Sequence, residues 1–238
     1  MTNDELTFKH LVQMPRVPAA ERAPLVLLLH GYGSNELDLF GLAPQLDERC
    51  LIVSARAPLA LAQTGGHAWF NIEYTTNGLT ADLEQAERSR LSLSKFLDEL
   101  QAAHPIDPAR VYLAGFSQGA MMSLSVMLAR PEKIAGVLAM SGRLPAATAS
   151  LRTHAPEAYG GLPVFVAHGL YDPVIPIAQG RACRDELRQL PLQLTYREYP
   201  MGHEVSLETL RDSAAWLSAT LNAPAPQLQR RAPVGVPD

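Results

Sequence analysis

A serine between two glycines stands near the middle of the chain. The segment Gly115-Phe116-Ser117-Gln118-Gly119 fits the pattern G-x-S-x-G, in which the serine occupies a sharp turn between a strand and a helix. Such a turn holds the hydroxyl clear of the sheet, and the glycines let strand and helix approach closely. The pattern predicts that Ser117 is the nucleophile of an acyl transfer, and a tight structural turn is the alternative.

The surroundings of the motif separate these two interpretations. With glycine and serine each at about 7% usage, G-x-S-x-G should arise by chance in about one chain in ten of this length. Here it follows the apolar run 111–114 and precedes the small and apolar stretch 118–129, which Pro131 ends. A strand followed by a helix is the setting that the turn requires, so the context favours the catalytic interpretation.

A serine hydroxyl is a poor nucleophile unless a base removes its proton, and the base needs an orienting acid. In hydrolases built on this turn, the acid and then the histidine follow the serine along the chain. Asp172 comes directly after an apolar run, and His203 lies between the last predicted strand and the last predicted helix. Both therefore fall at the carboxyl edge of the sheet, where Ser117 stands. We predict a catalytic triad of Ser117, Asp172 and His203, for which structural roles are the alternative.

Other candidates for the acid and the base occupy less suitable positions. His154 precedes Asp172 and would invert the order, while His168 lies so close to a strand end that a structural hydrogen bond suits it better. Asp185 falls inside the predicted helix 176–189 and is expected on its solvated face.

Acyl transfer also requires hydrogen-bond donors for the oxyanion that forms on the substrate carbonyl. One donor is expected from the backbone N–H of Gln118, the residue after the nucleophile. The second usually comes from a loop after an early strand, and His30-Gly31-Tyr32-Gly33 follows the apolar run 25–29. A plain glycine turn is the alternative for this loop.

The elements that must position these residues alternate between short apolar runs and longer amphipathic stretches. This alternation predicts an α/β fold with a mostly parallel central sheet flanked by helices. Strands are expected at 25–29, 51–53, 111–114, 137–140, 164–167 and 193–199, and helices near Asn35 and at 79–103, 118–129, 176–189 and 205–221. The turn-rich segment 55–78, which carries Trp69 and Phe70, is either a functional loop or a surface excursion pinned by aromatic packing.

Length and composition set the remaining expectations. A chain of 238 residues fits one domain over 1–222, followed by a proline-rich tail over 223–238 that we expect to be disordered. The net charge of −4 gives no hint of a nucleic-acid partner, and Cys50 and Cys183 make no metal or redox spacing. No secretory signal and no bilayer-spanning run is visible, so a cytoplasmic location is expected. The sequence gives no indication of an oligomeric state.

Four blocks in this order resemble the phospholipase/carboxylesterase family, which contains small bacterial carboxylesterases and acyl-protein thioesterases. They are 28–38, 115–119, 168–176 and 202–204. The resemblance implies an α/β-hydrolase fold without a cap domain, with the N–H of Tyr32 as the second oxyanion donor. It also implies that Trp69, in a matching Ala-Trp pair, lines the substrate pocket. Dienelactone hydrolases share the architecture but use a cysteine nucleophile, so Ser117 argues against them.

The predicted function is hydrolysis of a small-molecule acyl ester or thioester through an acyl-enzyme, with short to medium acyl chains. The chemistry needs no metal and no organic cofactor, and we expect neither a nucleic-acid partner nor integral membrane association. A lysophospholipase or acyl-protein thioesterase with a long acyl channel is the alternative within hydrolases. Outside hydrolases, the candidates are an acyltransferase and a non-catalytic binding protein of the same fold.

Overall fold

The computed structural model describes residues 6–17, 21–62, 64–75, 78–144, 148–152 and 154–223. The strands of its central sheet are β1 His10–Gln13, β2 Ala23–Leu29, β3 Leu51–Ala55, β4 Ile106–Phe116, β5 Gly136–Met140, β6 Pro163–Gly169 and β7 Gln193–Tyr199. They lie in the order β1-β3-β2-β4-β5-β6-β7, in which β1 pairs antiparallel with β3 and all other pairs are parallel. The predicted α/β fold with a mostly parallel sheet is confirmed.

Helices cover both faces of the sheet. They are α1 Leu37–Phe40, α2 Leu83–Ala103, α3 Gln118–Ala129, α4 Thr148–Leu151, α5 Ile177–Leu187 and α6 Leu207–Asn222, with 3-10 turns at Ala43–Gln45, Pro131–Lys133 and Pro156–Tyr159. Side chains of α2, α3 and α5 pack on one face, and those of α1 and α6 on the other. Because β2 is buried on both faces, its apolar run is continuous rather than alternating.

Several elements differ from the sequence prediction, and the reasons are clear for two helices and an edge strand. The helix expected from residue 79 begins at Leu83, because 78–81 pair antiparallel with 72–75 and Asp82 then caps the helix by accepting a hydrogen bond from the Gln85 N–H. The helix expected near Asn35 is the single turn α1. Strand β1 was not predicted, since four residues at a sheet edge leave little periodic pattern.

The segment 55–78 contains short antiparallel pairings rather than one open loop. Leu59–Ala60 pairs with His67–Ala68, and Ile72–Thr75 pairs with Gly78–Ala81. Trp69 lies between these hairpins, with its ring centroid 5.5 Å from that of Phe8 in an edge-on contact. Aromatic packing therefore pins the segment, which was one of the two interpretations of its sequence.

The described part of the chain has no cap over the carboxyl edge of the sheet. Between β5 and β6, the place where a cap would be inserted, its described residues form only α4 and one 3-10 turn. None of the described helices combines the length and apolar character needed to cross a bilayer. The prediction for the tail concerns residues that lie outside the described ranges, apart from Ala223.

Candidate active site

Ser117 stands between β4 and α3 in a strained backbone conformation, with φ 52° and ψ −115°. A non-glycine residue in such a region costs about 1–3 kcal/mol, so the surroundings must hold it there. The Ser117 N–H donates to the Met140 carbonyl of β5 at 2.9 Å, and the Ser117 carbonyl accepts from the Met121 N–H at 3.1 Å. Backbone bonds to two neighbouring elements thus fix the turn that presents the hydroxyl.

The glycines of the motif are required by close backbone approach. A Cβ added at Gly119 would lie 1.9 Å from the Leu29 carbonyl oxygen of β2, and one at Gly115 would lie 2.3 Å from the Gly119 carbonyl carbon. A Cβ at Gly31 would lie 3.4 Å from the Ser117 Cβ. The first turn of α3 therefore packs directly on the end of β2, and the loop after β2 lies against the serine.

Ser117, His203 and Asp172 form one hydrogen-bonded chain. The His203 Nε2 lies 2.9 Å from the Ser117 Oγ, and the His203 Nδ1 lies 2.7 Å from the Asp172 Oδ2. Because a carboxylate only accepts, the proton of the neutral imidazole is on Nδ1, which leaves Nε2 to accept from the serine hydroxyl. This is the tautomer that a general base for Ser117 needs.

The acid of this chain is held by its own loop. Asp172 is buried, and its Oδ1 accepts the backbone N–H groups of Val174 and Ile175, both at 2.8 Å. Its other oxygen is therefore aimed at His203. The ring of Phe116 contacts the imidazole at a centroid distance of 4.9 Å, and the His203 side chain retains 16% exposure. The imidazole is therefore supported from two sides yet remains accessible.

The rival residues considered for the acid and the base stay outside this chain. The His168 ring is buried, and its Nε2 donates to the Ile175 carbonyl at 2.8 Å while lying 3.6 Å from the Asp172 Oδ2, which is too long for a hydrogen bond. His154 donates to the Ala129 carbonyl at 3.0 Å, and Asp185 is an exposed residue of α5 paired with Arg184. His168 has the structural role that its position suggested.

The two predicted oxyanion donors have no acceptor within the described part of the chain. Gln118 opens α3, so its N–H belongs to the first turn, where intrahelical acceptors are missing, and no other acceptor replaces them. The Tyr32 N–H likewise donates to no described group. Since Gly31 packs on the Ser117 Cβ, the peptide that follows it also lies close to the nucleophile.

His30 fixes the direction of that peptide. Its Nδ1–H donates to the Gly31 carbonyl at 2.7 Å, and its Nε2 accepts the Ala57 N–H at 3.0 Å. Burial lowers the pKa of His30, which favours the neutral imidazole that this pair of bonds requires. The carbonyl and N–H of a trans peptide point in opposite directions, so holding the Gly31 carbonyl orients the Tyr32 N–H. The sequence prediction missed this role, although His30 directly precedes Gly31.

Trp69 is fully buried among the same groups. Its indole N–H donates to the His30 carbonyl at 3.0 Å, and its backbone N–H donates to the Gln118 Oε1 at 2.8 Å. The amide of Gln118 in turn donates to the Phe70 carbonyl at 2.7 Å. The side chain of Trp69 is buried and lies against the two segments that carry the predicted oxyanion donors, and its role as a substrate contact stays a prediction.

A mostly parallel sheet with a serine elbow, and with an acid and a histidine following in that order, defines the α/β-hydrolase class. The phospholipase/carboxylesterase family model matches residues 11–221, and the chain belongs to this family. Among curated relatives, the acyl-protein thioesterase 1 of Mycosarcoma maydis is 31% identical over 245 residues, covering 90% of this chain and 98% of that protein. The acyl-protein thioesterase 1 of Kluyveromyces lactis is 30% identical over 210 residues, covering 83% and 92%.

Solved structures agree with this assignment. Esterase PE8 is 28% identical with a TM-score of 0.74, and the match covers 88% of this chain and 97% of that one. The Bacillus cereus carboxylesterase, at 23% identity and a TM-score of 0.75, covers 92% of this chain and 97% of its own. The family resemblance of the sequence blocks is confirmed.

Proposed function

We propose that this hydrolase cleaves small-molecule carboxylic esters or thioesters through an acyl-enzyme formed on Ser117. The observation that carries the proposal is the hydrogen-bonded chain from the Ser117 hydroxyl through His203 to Asp172. It starts on a strained strand-to-helix turn and ends on a buried carboxylate, which is the arrangement that activates a serine for acyl transfer. Membership of the phospholipase/carboxylesterase family supports the same chemistry.

In the acylation step, His203 Nε2 takes the hydroxyl proton while the Ser117 Oγ forms a bond to the acyl carbon. The carbonyl oxygen becomes an oxyanion, and the N–H groups of Tyr32 and Gln118 bind it. Asp172 stabilises the imidazolium that forms. The imidazolium then gives its proton to the leaving alcohol or thiol as the C–O or C–S bond breaks.

Deacylation repeats these steps with water as the nucleophile. His203 takes a proton from water, the hydroxide adds to the acyl carbon, and the same two N–H groups bind the second oxyanion. The proton passes from His203 to the Ser117 Oγ as the ester bond to the enzyme breaks. A carboxylic acid leaves, and the hydroxyl of the serine is restored.

The class of acyl donor is the finer part of the proposal. An uncapped carboxyl edge suits short to medium acyl esters. The relatives named acyl-protein thioesterase 1 favour testing long-chain thioesters beside them. A series of p-nitrophenyl esters from acetyl to palmitoyl, together with the matching acyl thioesters, separates the two. A maximum at acetyl to hexanoyl supports the short-chain esterase, and a maximum at palmitoyl supports a thioesterase or lysophospholipase.

The test of the nucleophile is Ser117→Ala with Ser125→Ala as the matched control. Ser125 lies on the same helix with its hydroxyl bonded to the Met121 carbonyl at 2.8 Å, away from His203. We expect Ser117→Ala to lower kcat by about three decades or more and Ser125→Ala to leave it within about twofold. Ester hydrolysis retained by purified Ser117→Ala would contradict the assignment.

Two further measurements test the candidates outside hydrolases. Failure of the wild type both to label with a fluorophosphonate and to hydrolyse any ester would favour a non-catalytic binding protein. Analysis of products in the presence of an alcohol detects transfer in place of hydrolysis. The single domain over 1–222 and the cytoplasmic location stay predictions of the sequence, which limited proteolysis and cell fractionation test.

A further inference from the structure

We infer that Trp69 is a positioning residue that ties together the two backbone donors of the oxyanion hole. The inference rests on the proposed function, because it concerns the N–H groups of Tyr32 and Gln118. Trp69 has two N–H groups, and each is bonded to one of the segments that carry these donors. One fully buried residue, through its backbone N–H and its indole N–H, thus connects the elbow at Ser117 with the loop after β2.

The connection to the elbow runs through the side chain of Gln118. Its amide oxygen accepts the Trp69 backbone N–H at 2.8 Å, and its amide nitrogen donates to the Phe70 carbonyl at 2.7 Å. Gln118 is buried, with an exposure of 2%, so water does not compete for these bonds. Because the same residue carries the first predicted donor, the pair of bonds fixes the position of its N–H beside Ser117.

The connection to the loop runs through His30. The Trp69 indole N–H donates to the His30 carbonyl at 3.0 Å, and the two rings lie 5.7 Å apart between centroids. The His30 imidazole then holds the Gly31 carbonyl and thereby the direction of the Tyr32 N–H. Loss of the indole N–H would leave the His30 carbonyl without this donor in a buried position.

Trp69 is itself anchored to the scaffold. The Ser89 hydroxyl of α2 donates to its carbonyl at 2.5 Å. Two residues before it, the His67 carbonyl accepts the Gly33 N–H at 2.9 Å, and the His67 N–H donates to the Ser34 carbonyl at 2.7 Å. Both partners belong to the loop after β2. These bonds hold 67–69 alongside the loop after β2. Donors held in place before the oxyanion forms need no reorganisation in the transition state, which is where their effect on the rate arises.

The variant Trp69→Phe removes the indole N–H and keeps an aromatic ring. We expect kcat for p-nitrophenyl esters to fall about tenfold or more, with KM within about twofold, because the oxyanion exists only in the transition state. A role in lining the pocket would instead change KM, and by an amount that depends on acyl length. Trp216→Phe is the matched control, since Trp216 belongs to α6 on the opposite face of the sheet, packed near Phe165.

A transition-state analogue gives a readout that a merely structural role would not move. A trifluoromethyl ketone forms an oxyanionic adduct with the serine. An ether of the same chain length has no carbonyl and cannot form an oxyanion. We expect Trp69→Phe to lower the affinity for the ketone by the same factor as it lowers kcat, and to leave the affinity for the ether unchanged. Gln118→Ala keeps the backbone N–H of residue 118 and removes the two hydrogen bonds of its side-chain amide, so it should lower kcat and the affinity for the ketone in the same way. The double variant should lose less than the product of the two single losses, because both act on one oxyanion hole.

Wild-type kcat and ketone affinity in folded Trp69→Phe would overturn the inference, as would an equal loss in Trp216→Phe. If Trp69→Phe does not fold, Gln118→Ala decides in the same way, with its thermal midpoint measured alongside. An inactive wild type that does not label with a fluorophosphonate would be a failure of the proposed function instead. The two failures are therefore distinguishable.

Discussion

The orientation of Asp172 makes the variant Asp172→Asn a direct test of the proposed base. In the wild type, Oδ1 accepts two backbone N–H groups, from Val174 and Ile175, and Oδ2 accepts the His203 Nδ1–H at 2.7 Å. In the variant, the amide oxygen must take the place of Oδ1, because an NH₂ group there would face two donors. The NH₂ group then faces His203, whose Nδ1 has to accept. The imidazole proton moves to Nε2, which can no longer take the proton of Ser117.

The size of the effect follows from the cost of escaping this tautomer. Flipping the amide restores an acceptor for His203 but leaves the N–H groups of Val174 and Ile175 without this acceptor, at about 1–3 kcal/mol each. The total of about 2–6 kcal/mol corresponds to a loss of about 30-fold to 2 × 10⁴-fold. The same substitution in the serine protease triad lowers kcat by about 10⁴, which lies in this range. We expect kcat to fall by about 10³–10⁴ for this hydrolase.

The assay is steady-state hydrolysis of p-nitrophenyl butyrate, with thermal unfolding measured on the same preparations. Because asparagine has the shape of aspartate and keeps the two loop bonds, the unfolding midpoint should stay within a few degrees. Asp185→Asn is the control, since Asp185 is an exposed residue of α5. If folded Asp172→Asn retains kcat within tenfold of the wild type, the tautomer argument is refuted.

Three further predictions concern the packing and the buried titratable groups. Gly119→Ala should lower the free energy of unfolding by more than about 3 kcal/mol in urea titrations, whereas Gly161→Ala, with φ 71° and no atom within 4 Å of the added Cβ, should cost only about 1 kcal/mol. Burial lowers the pKa of His30, so below about pH 6.5 the unfolded chain binds more protons at this residue than the folded protein does. The stability that neutral His30 contributes is therefore present above that pH and is lost as the pH falls below it. The thermal midpoint should therefore fall as the pH is lowered from about 7 to about 5, and it should fall less steeply in His30→Gln than in the wild type. Burial raises the pKa of Cys50 and of Cys183 to about 12, so a thiol reagent at pH 8 should label neither in the native protein and both after denaturation.

The elements that were predictable from the sequence are those whose pattern follows from burial on both sides. The run 25–29 became the buried strand β2, and 118–129 became α3 with the predicted bounds, because an elbow and a proline mark its ends. The bounds of α2 were less predictable, since residues 79–81 fit a helical period equally well. Their pairing with 72–75 is a tertiary preference that periodicity does not carry.

The meeting of Ser117, Asp172 and His203 was predictable for a topological reason. In a parallel sheet the carboxyl ends of neighbouring strands meet at one edge, so Asp172 after β6 and His203 after β7 come together near Ser117 after β4. The hydrogen bonds that support the loop after β2 follow from no such rule. They depend on which way the amide of Gln118 and the ring of His30 point, and residue type and spacing along the chain do not specify those directions.

The segment 55–78 has features of both interpretations that its sequence allows, a functional loop and a pinned surface excursion. Trp69 and Phe70 are buried, which is the behaviour of a pinned excursion. Yet their hydrogen bonds go to the segments that carry the predicted oxyanion donors. We expect a buried tryptophan with both N–H groups bonded across two segments to affect catalysis by restricting their motion. Substitutions there should therefore change kcat and transition-state affinity before they change substrate binding, whereas a residue that contacts the acyl chain should show the reverse order.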